Sequence, residues 1–214
     1  MKKLILFTLL FTVFFSTAQK KELRNANKFF ISGEFSSAID LLDSAKDIFD
    51  SSDDKIKSQA MLLYGKIHTS MEDFELAMKA FDMSKNLGTS DQILNPEVRK
   101  LETAIITSAV GDNETENFSS AAKKLKMVYD LNTETNQEYL YYAASSAVNS
   151  LDYPLALNYY ELLRDIKYEG IEKKFFITEV SSGDEIEINS ETEFNLIQKS
   201  KDYENPRDEE TDSK

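Results

Sequence analysis

One short pattern recurs four times along the chain, and it limits the fold more than any other feature. It is an aromatic residue, two intervening residues, alanine, and a large apolar residue four positions on. The copies are Phe35-Ser36-Ser37-Ala38 with Leu42, Phe74-Glu75-Leu76-Ala77 with Phe81, Phe118-Ser119-Ser120-Ala121 with Leu125, and Tyr153-Pro154-Leu155-Ala156 with Tyr160. Each opens a run with apolar residues at helical spacing; in the first copy these are Phe35, Ala38, Ile39, Leu42, Ala45 and Phe49. A second helical stretch precedes each copy. It is marked by Ala26, Phe29 and Phe30, by Met61, Tyr64, Gly65 and His68, by Leu101, Ala104, Ile105 and Ser108, and by Leu140, Ala143, Ala144 and Ala147.

Ala26, Gly65 and Ala144 each stand twelve positions before the small residue of the following helix. Such a pair lets two antiparallel helices approach closely. Neither helix alone can bury its apolar stripe, so the pairs must stack into one continuous core. With three prolines and six glycines in 214 residues, long helices are unopposed. Gly33 is placed to end a first helix in the left-handed conformation. Asn95-Pro96-Glu97 reads as a helix start, and Thr135 with Glu138 has capping-box spacing. Loops are expected at Ser51 to Asp54, Gly88 to Asp91 and Gly111 to Asn117.

Small residue, aromatic, then [Phe/Tyr]-x-x-Ala-x-x-x-[large apolar] resembles the tetratricopeptide repeat, a helix-turn-helix unit of about 34 residues. The resemblance covers residues 20–170 and is degenerate: the alanine-to-alanine spacings are 39, 44 and 35, and the family's early Trp is absent. It implies an all-α, helical-hairpin solenoid over residues 19–170. Another helical-hairpin solenoid of the same general kind is the second choice.

The first eighteen residues are a different kind of sequence. Lys2 and Lys3 precede a twelve-residue apolar run from Leu4 to Phe15, broken only by Thr8 and Thr12, and Ser16-Thr17-Ala18 supplies small residues for cleavage. This is the pattern of a secretory signal peptide, too short to span a bilayer, so the mature chain is expected to start at Gln19 with no transmembrane segment. There is no cysteine, so neither a lipid-modified cysteine nor disulfides are available, and helix packing alone must hold the fold. Without Lys2 and Lys3 the mature chain has 25 − 2 = 23 basic against 38 acidic residues, a net charge of −15. That charge argues against nucleic acid and anionic lipid as partners.

Residues 171–214 leave the repeat pattern. Lys174 to Val180 is rich in strand formers, Ser181-Ser182-Gly183-Asp184 is a turn, and Glu185-Ile186-Glu187-Ile188 alternates. The reading over residues 171–200 is a β-hairpin followed by a short helix capped by Ser190 with Glu193. Residues 201–214, with six acidic and three basic side chains, are expected as a loose tail. Tyr168-Glu169-Gly170, the Ser182-Gly183-Asp184-Glu185 turn and Tyr203-Glu204-Asn205-Pro206-Arg207 resemble a segment that, in exported bacterial tetratricopeptide proteins, links one block of repeats to the next. A truncated sequence, or a short relative lacking the second block, would end in this way.

Chemistry can be tested by subtraction. Without cysteine there is no thiol nucleophile or thiolate metal site. With one histidine, His68, there is no zinc pair and no HExxH. His68 falls where the repeat family places a packed aromatic. The glycines form no phosphate loop. Asp50, Asp53 and Asp54 lack the order of a calcium loop, and Gly111-Asp112-Asn113-Glu114 fails it too. No catalytic residue, metal or cofactor is expected. Tyr139, Tyr141, Tyr142, Tyr153, Tyr159 and Tyr160 cluster in the fourth unit, as core and boundary residues or as a binding hot spot.

In the tetratricopeptide family, first helices line a concave groove that receives a protein or peptide. The resemblance, carried over unit by unit, places Asn27 there in the first unit, Lys66, Thr69 and Ser70 in the second, and Tyr141, Ser145 and Asn149 in the fourth. The third unit is left out, because the expected long turn at Gly111 to Asn117 disturbs its register. The functional expectation is a non-catalytic protein-binding scaffold, exported to the periplasm or cell envelope or secreted. The alternatives are the N-terminal sensory or assembly module of a longer signalling protein such as a receptor kinase, and a carbohydrate-handling enzyme suggested only by export and acidity.

Overall fold

The computed structural model describes residues 19–171, 173–188 and 191–211. The expected signal peptide at residues 1–18 and the capping Ser190 lie outside them. The chain divides into two compact units at Tyr160 and Glu161, ahead of the boundary expected after residue 170.

The first unit is a run of helical hairpins. From residue 19 a helix, α1, runs to residue 31. It is followed by α2 (Phe35–Ser44), α3 (Lys46–Asp50), α4 (Asp54–Ser70), α5 (Phe74–Asn86), α6 (Asp91–Glu114), α7 (Phe118–Leu131), α8 (Gln137–Asn149) and α9 (Tyr153–Asp165). Helices α1, α4, α6 and α8 are the first helices of four hairpins. The recurring aromatic-x-x-Ala pattern opens the partner of each, so the helical-hairpin repeat read from the sequence is the fold observed.

The same turn closes each hairpin. Gly33, Glu72, Glu116 and Leu151 all take a left-handed conformation, with φ of 80°, 61°, 61° and 62°. In each case the next amide reaches back five residues, as Glu34 N–H does to the Phe29 carbonyl at 2.9 Å and Asp73 N–H to His68 at 2.9 Å. This is the Schellman arrangement, which satisfies carbonyls a helix end would otherwise strand. Counted from the turn, the registers coincide. Seven residues before it stand Ala26, Gly65, Ala109 and Ala144, all buried, and five after it stand Ala38, Ala77, Ala121 and Ala156, at most 3% exposed. These small residues let the paired helices touch. At Gly65 the contact is close: an added Cβ would lie 2.5 Å from Cδ1 and 2.9 Å from Cζ of Phe81.

Around these contacts lie two apolar clusters. Leu42, Phe49, Ile56 and Ile67 centre the first, and Phe74, Phe81, Leu101, Ile105 and Val128 the second. The large residue nine after the turn is buried in the first three units (Leu42, Phe81 and Leu125). In the fourth, Tyr160 is 40% exposed and the pattern's opening Tyr153 is 60% exposed.

Three local expectations are corrected. Asn95-Pro96 does not start a helix: α6 starts at Asp91 and carries Pro96 inside it. Asp91 complements the positive end of the helix, and Leu94, 3% exposed, anchors its first turn, which outweighs the one hydrogen bond Pro96 cannot donate. The long turn at Gly111 to Asn117 is absent, because α6 continues through Gly111 to Glu114 and only residues 115–117 turn. The third unit is long because α6 has 24 residues against 17 in α4 and 13 in α8. Finally, α8 is preceded by Asn136 and not capped by Thr135; the Asn136 amide donates to Glu102 and to the Val128 carbonyl, each at 2.8 Å, tying the start of α8 to α6 and α7. The loops at 51–53 and 87–90 fall close to where they were expected, and Asp53 caps α4 by accepting from Ile56 N–H at 2.9 Å.

In the second unit β1 (Lys173–Glu179) and β2 (Glu185–Ile188) form the expected hairpin, and α10 (Glu191–Ile197) follows. Phe175, Ile177 and Ile188 form a small core with Phe194 of α10 and Tyr203; the Phe175 and Phe194 rings lie 5.0 Å apart. The tail reading for residues 201–214 is overturned in part: β3 (Tyr203–Glu210) pairs antiparallel with the free edge of β1, giving the order β2-β1-β3. Charge, not burial, supports this strand. Arg207 stacks 4.2 Å over the Phe176 ring and reaches across it to Glu185 of β2 at 2.8 and 2.7 Å. Lys173 stands 3.7 Å from Asp208. Pro206 is tolerated because the pairing register is broken between Phe176 and Thr178, where β3 carries the extra residue with Asn205 at φ 52°.

Candidate functional site

The first helices set the site, since each presents one face to its hairpin partner and another to the next first helix. Between α1 and α4 they leave a cleft of about 660 Å³. Leu23 of α1 and Ile56, Leu62 and Leu63 of α4 supply its apolar lining. Two of the expected groove residues, Asn27 of α1 and Lys66 of α4, both line it. They are equivalent in the repeat, each six residues before the left-handed turn residue (33 − 27 and 72 − 66). Lys66 Nζ sits 5.2 Å over the Phe30 ring and 4.0 Å from Glu97 of α6.

Thr69 and Ser70 follow on α4, but their hydroxyls are turned inward. Thr69 donates to the Gly65 carbonyl at 2.7 Å and Ser70 to the Lys66 carbonyl at 3.2 Å, so each keeps only acceptor capacity for a ligand. Tyr141, Ser145 and Asn149 lie at four-residue intervals on α8, hence along one face, with Tyr141 half-buried and edge-on to Tyr142 at 5.9 Å. Helix α6 intervenes between these residues and α4. Their set and the Asn27–Lys66 pair therefore do not share a cleft.

The continuous α6 restores a register that the sequence left blank. Six residues before Glu116 stands Val110, equivalent to Asn27, Lys66 and Ser145, and it is 47% exposed. Sequence reasoning also missed Lys20, Arg24 and Lys55, which line the α1–α4 cleft. A signal for the first two was present: Lys20, Leu23, Arg24 and Asn27 recur at helical spacing and so mark one face of α1.

The titratable groups nearby have structural partners. His68 stacks on Tyr64 with ring centres 6.1 Å apart, and its Nδ1 lies 3.3 Å from Asp73. Burial and the hydrogen bond that Tyr64 donates to Asp43 push the Tyr64 phenol well above its ordinary range. At the other end of α6, Lys124 of α7 sits 2.7 Å from Asp112 and donates to Ser108, which in turn donates to Glu72. Burial would push the Asp112 carboxyl up, but hydrogen bonds from Lys124, Ser120 and Asn117, with the Lys124 charge, outweigh it and hold the group below the ordinary carboxylate range. Asp50 pairs with Lys46, and Asp53 is consumed as a cap.

No family model matches the chain, and no curated protein matches it. Among solved structures, that of pilF from Pseudomonas aeruginosa aligns with 71% of this chain and 77% of its own, at 11% identity and a TM-score of 0.33. A likeness at that level supports no statement about partners or activity.

Proposed function

We propose that this protein is a non-catalytic interaction scaffold of tetratricopeptide type, exported to the bacterial cell envelope, which holds a protein or peptide partner along its first helices. The observation that carries this reading is the cleft between α1 and α4. It opens between successive first helices, and equivalent positions of two repeats, Asn27 and Lys66, both line it. A surface built on buried small-residue contacts is already ordered, so a partner binds without the cost of ordering it. Tyr141, Ser145 and Asn149 extend the same reading along α8.

Site-specific photocrosslinking in the native host tests it. A crosslinker at position 27, 66 or 145 is expected to capture one common partner. The same group at Leu76 or Met83, exposed on the second helix α5, is expected to capture none. Equal capture from α5 would refute a first-helix groove. Export is tested by the N-terminus of the native protein, expected at Gln19; an intact Met1 would refute it.

A further inference from the structure

The cleft between α1 and α4 reverses the charge of the chain that contains it. The protein carries 38 acidic and 25 basic residues, yet the charged residues lining the cleft are Lys20, Arg24, Lys55 and Lys66 against Asp53 alone. Asp53 already accepts the Ile56 amide as the α4 cap. Lys66 has Glu97 at 4.0 Å, and Lys20, Arg24 and Lys55, all exposed, have no ion pair among the described residues. In a chain this rich in carboxylates, three cations without an ion pair share the lining of one cleft, and like charges gathered on one surface repel in the free protein. The arrangement becomes favourable once an anionic group enters.

The walls narrow the occupant further. Beside the cations the lining holds Leu23, Ile56, Leu62 and Leu63, with the amide side chains of Asn27 and Gln59. A ligand that matches both kinds of lining carries carboxylates and apolar groups together, with main-chain groups for the two amides to bind. An extended peptide of alternating character has this form, because successive side chains point to opposite sides. A nucleic acid fits poorly: its continuous phosphate charge would meet a protein whose net charge is −13 as a whole and more negative still outside this cleft. We infer that the α1–α4 cleft is a docking site for an extended acidic-apolar peptide segment of a partner protein, with Lys20, Arg24 and Lys55 as its carboxylate-binding rim. This rests on the scaffold reading above and names the chemistry of the partner.

The test is fluorescence anisotropy on the full chain with a labelled peptide alternating Glu and Leu. The Glu-Leu peptide is expected to bind and to weaken with salt. A Gln-Leu peptide is expected to bind about tenfold or more weakly, and Arg24→Glu with Lys55→Glu to lose a similar factor. These side chains are exposed, so the melting temperature should not move; Arg24→Gln with Lys55→Gln gives the same comparison without added charge. Equal binding of the Gln-Leu peptide, indifference to both variant pairs, or tighter binding of single-stranded oligothymidine would each overturn the inference. If the Glu-Leu peptide does not bind while a crosslinker at position 27 still captures the partner, the acidic chemistry falls and the groove stands. If both fail, the scaffold reading falls with it.

Discussion

Replacing Gly65 with alanine tests how closely the paired helices approach. A helical glycine replaced by alanine ordinarily gains up to about 1 kcal/mol, from lower unfolded-state entropy and better helix propensity. At Gly65 the new Cβ would meet the Phe81 ring, 2.5 Å from Cδ1 and 2.9 Å from Cζ, where carbon atoms normally settle at about 3.5–4.0 Å. Phe81 is 3% exposed and packed within the second cluster, so its ring can yield only by disturbing that packing. Overpacking of this kind costs about 1–3 kcal/mol, so Gly65→Ala should be net destabilising by about 1–2 kcal/mol. Gly111→Ala is the internal control. Gly111 lies in α6 with nothing within 4 Å of an added Cβ and without a positive φ, so it should gain about 0.5–1 kcal/mol. Urea denaturation followed by far-UV circular dichroism separates the two, as opposite shifts of the midpoint. Combining Gly65→Ala with Phe81→Leu should recover about 1 kcal/mol or more relative to additivity, because the smaller side chain vacates the space. Stabilisation by Gly65→Ala equal to that by Gly111→Ala would refute a close approach of α4 and α5.

Leu151 is 70% exposed and held at φ 62°, so Leu151→Gly relieves left-handed strain and should raise the melting temperature by a few degrees, equivalent to about 0.5–1 kcal/mol by calorimetry. Asp112→Asn, which leaves Lys124 without its carboxylate, should cost about 1–3 kcal/mol at neutral pH. The folded carboxyl lies below its unfolded value of about 3.9, so its contribution is full above that value and fades as pH falls through the folded one. The gap between wild type and Asp112→Asn in urea titrations should therefore close in acid, and a gap independent of pH would refute the assignment. Tyr141→Ala should weaken partner capture while leaving the circular dichroism spectrum unchanged; unfolding would make Tyr141 part of the core.

The repeat was legible because its demands are local and strict. Only a small residue can stand at Ala38 or Ala77 if two helices are to touch, and Gly33 announced its own left-handed turn. The third unit was misread because its turn uses Glu116 in place of glycine, while the glycine nearby, Gly111, lies inside a helix. Asn95-Pro96 is a sound start signal taken alone, and it lost to the burial of Leu94 one turn earlier. Strand β3 was invisible to a search for buried residues: Glu204 to Glu210 are exposed, and the charges that tie them to the sheet, Glu185 and Lys173, lie on other strands, which no local window contains. Asn27 and Lys66 were placed by the repeat register. The cations beside them needed two separated helices brought together, although the α1 stripe was there to be read.

The constancy of the hairpin turn also says where this architecture can absorb change. Successive turns stand 39, 44 and 35 residues apart, yet the turn itself keeps one geometry, so the variation in length is confined to the helices and to the links between hairpins. For insertion or grafting, the permissive positions are the links at residues 87–90 and 132–135, where added chain leaves each helix pair in register. A single residue inserted between Ser32 and Glu34, or between Met71 and Asp73, would rotate one helix by about 100° against its partner, carrying the small residues out of the contact and a bulky one into it.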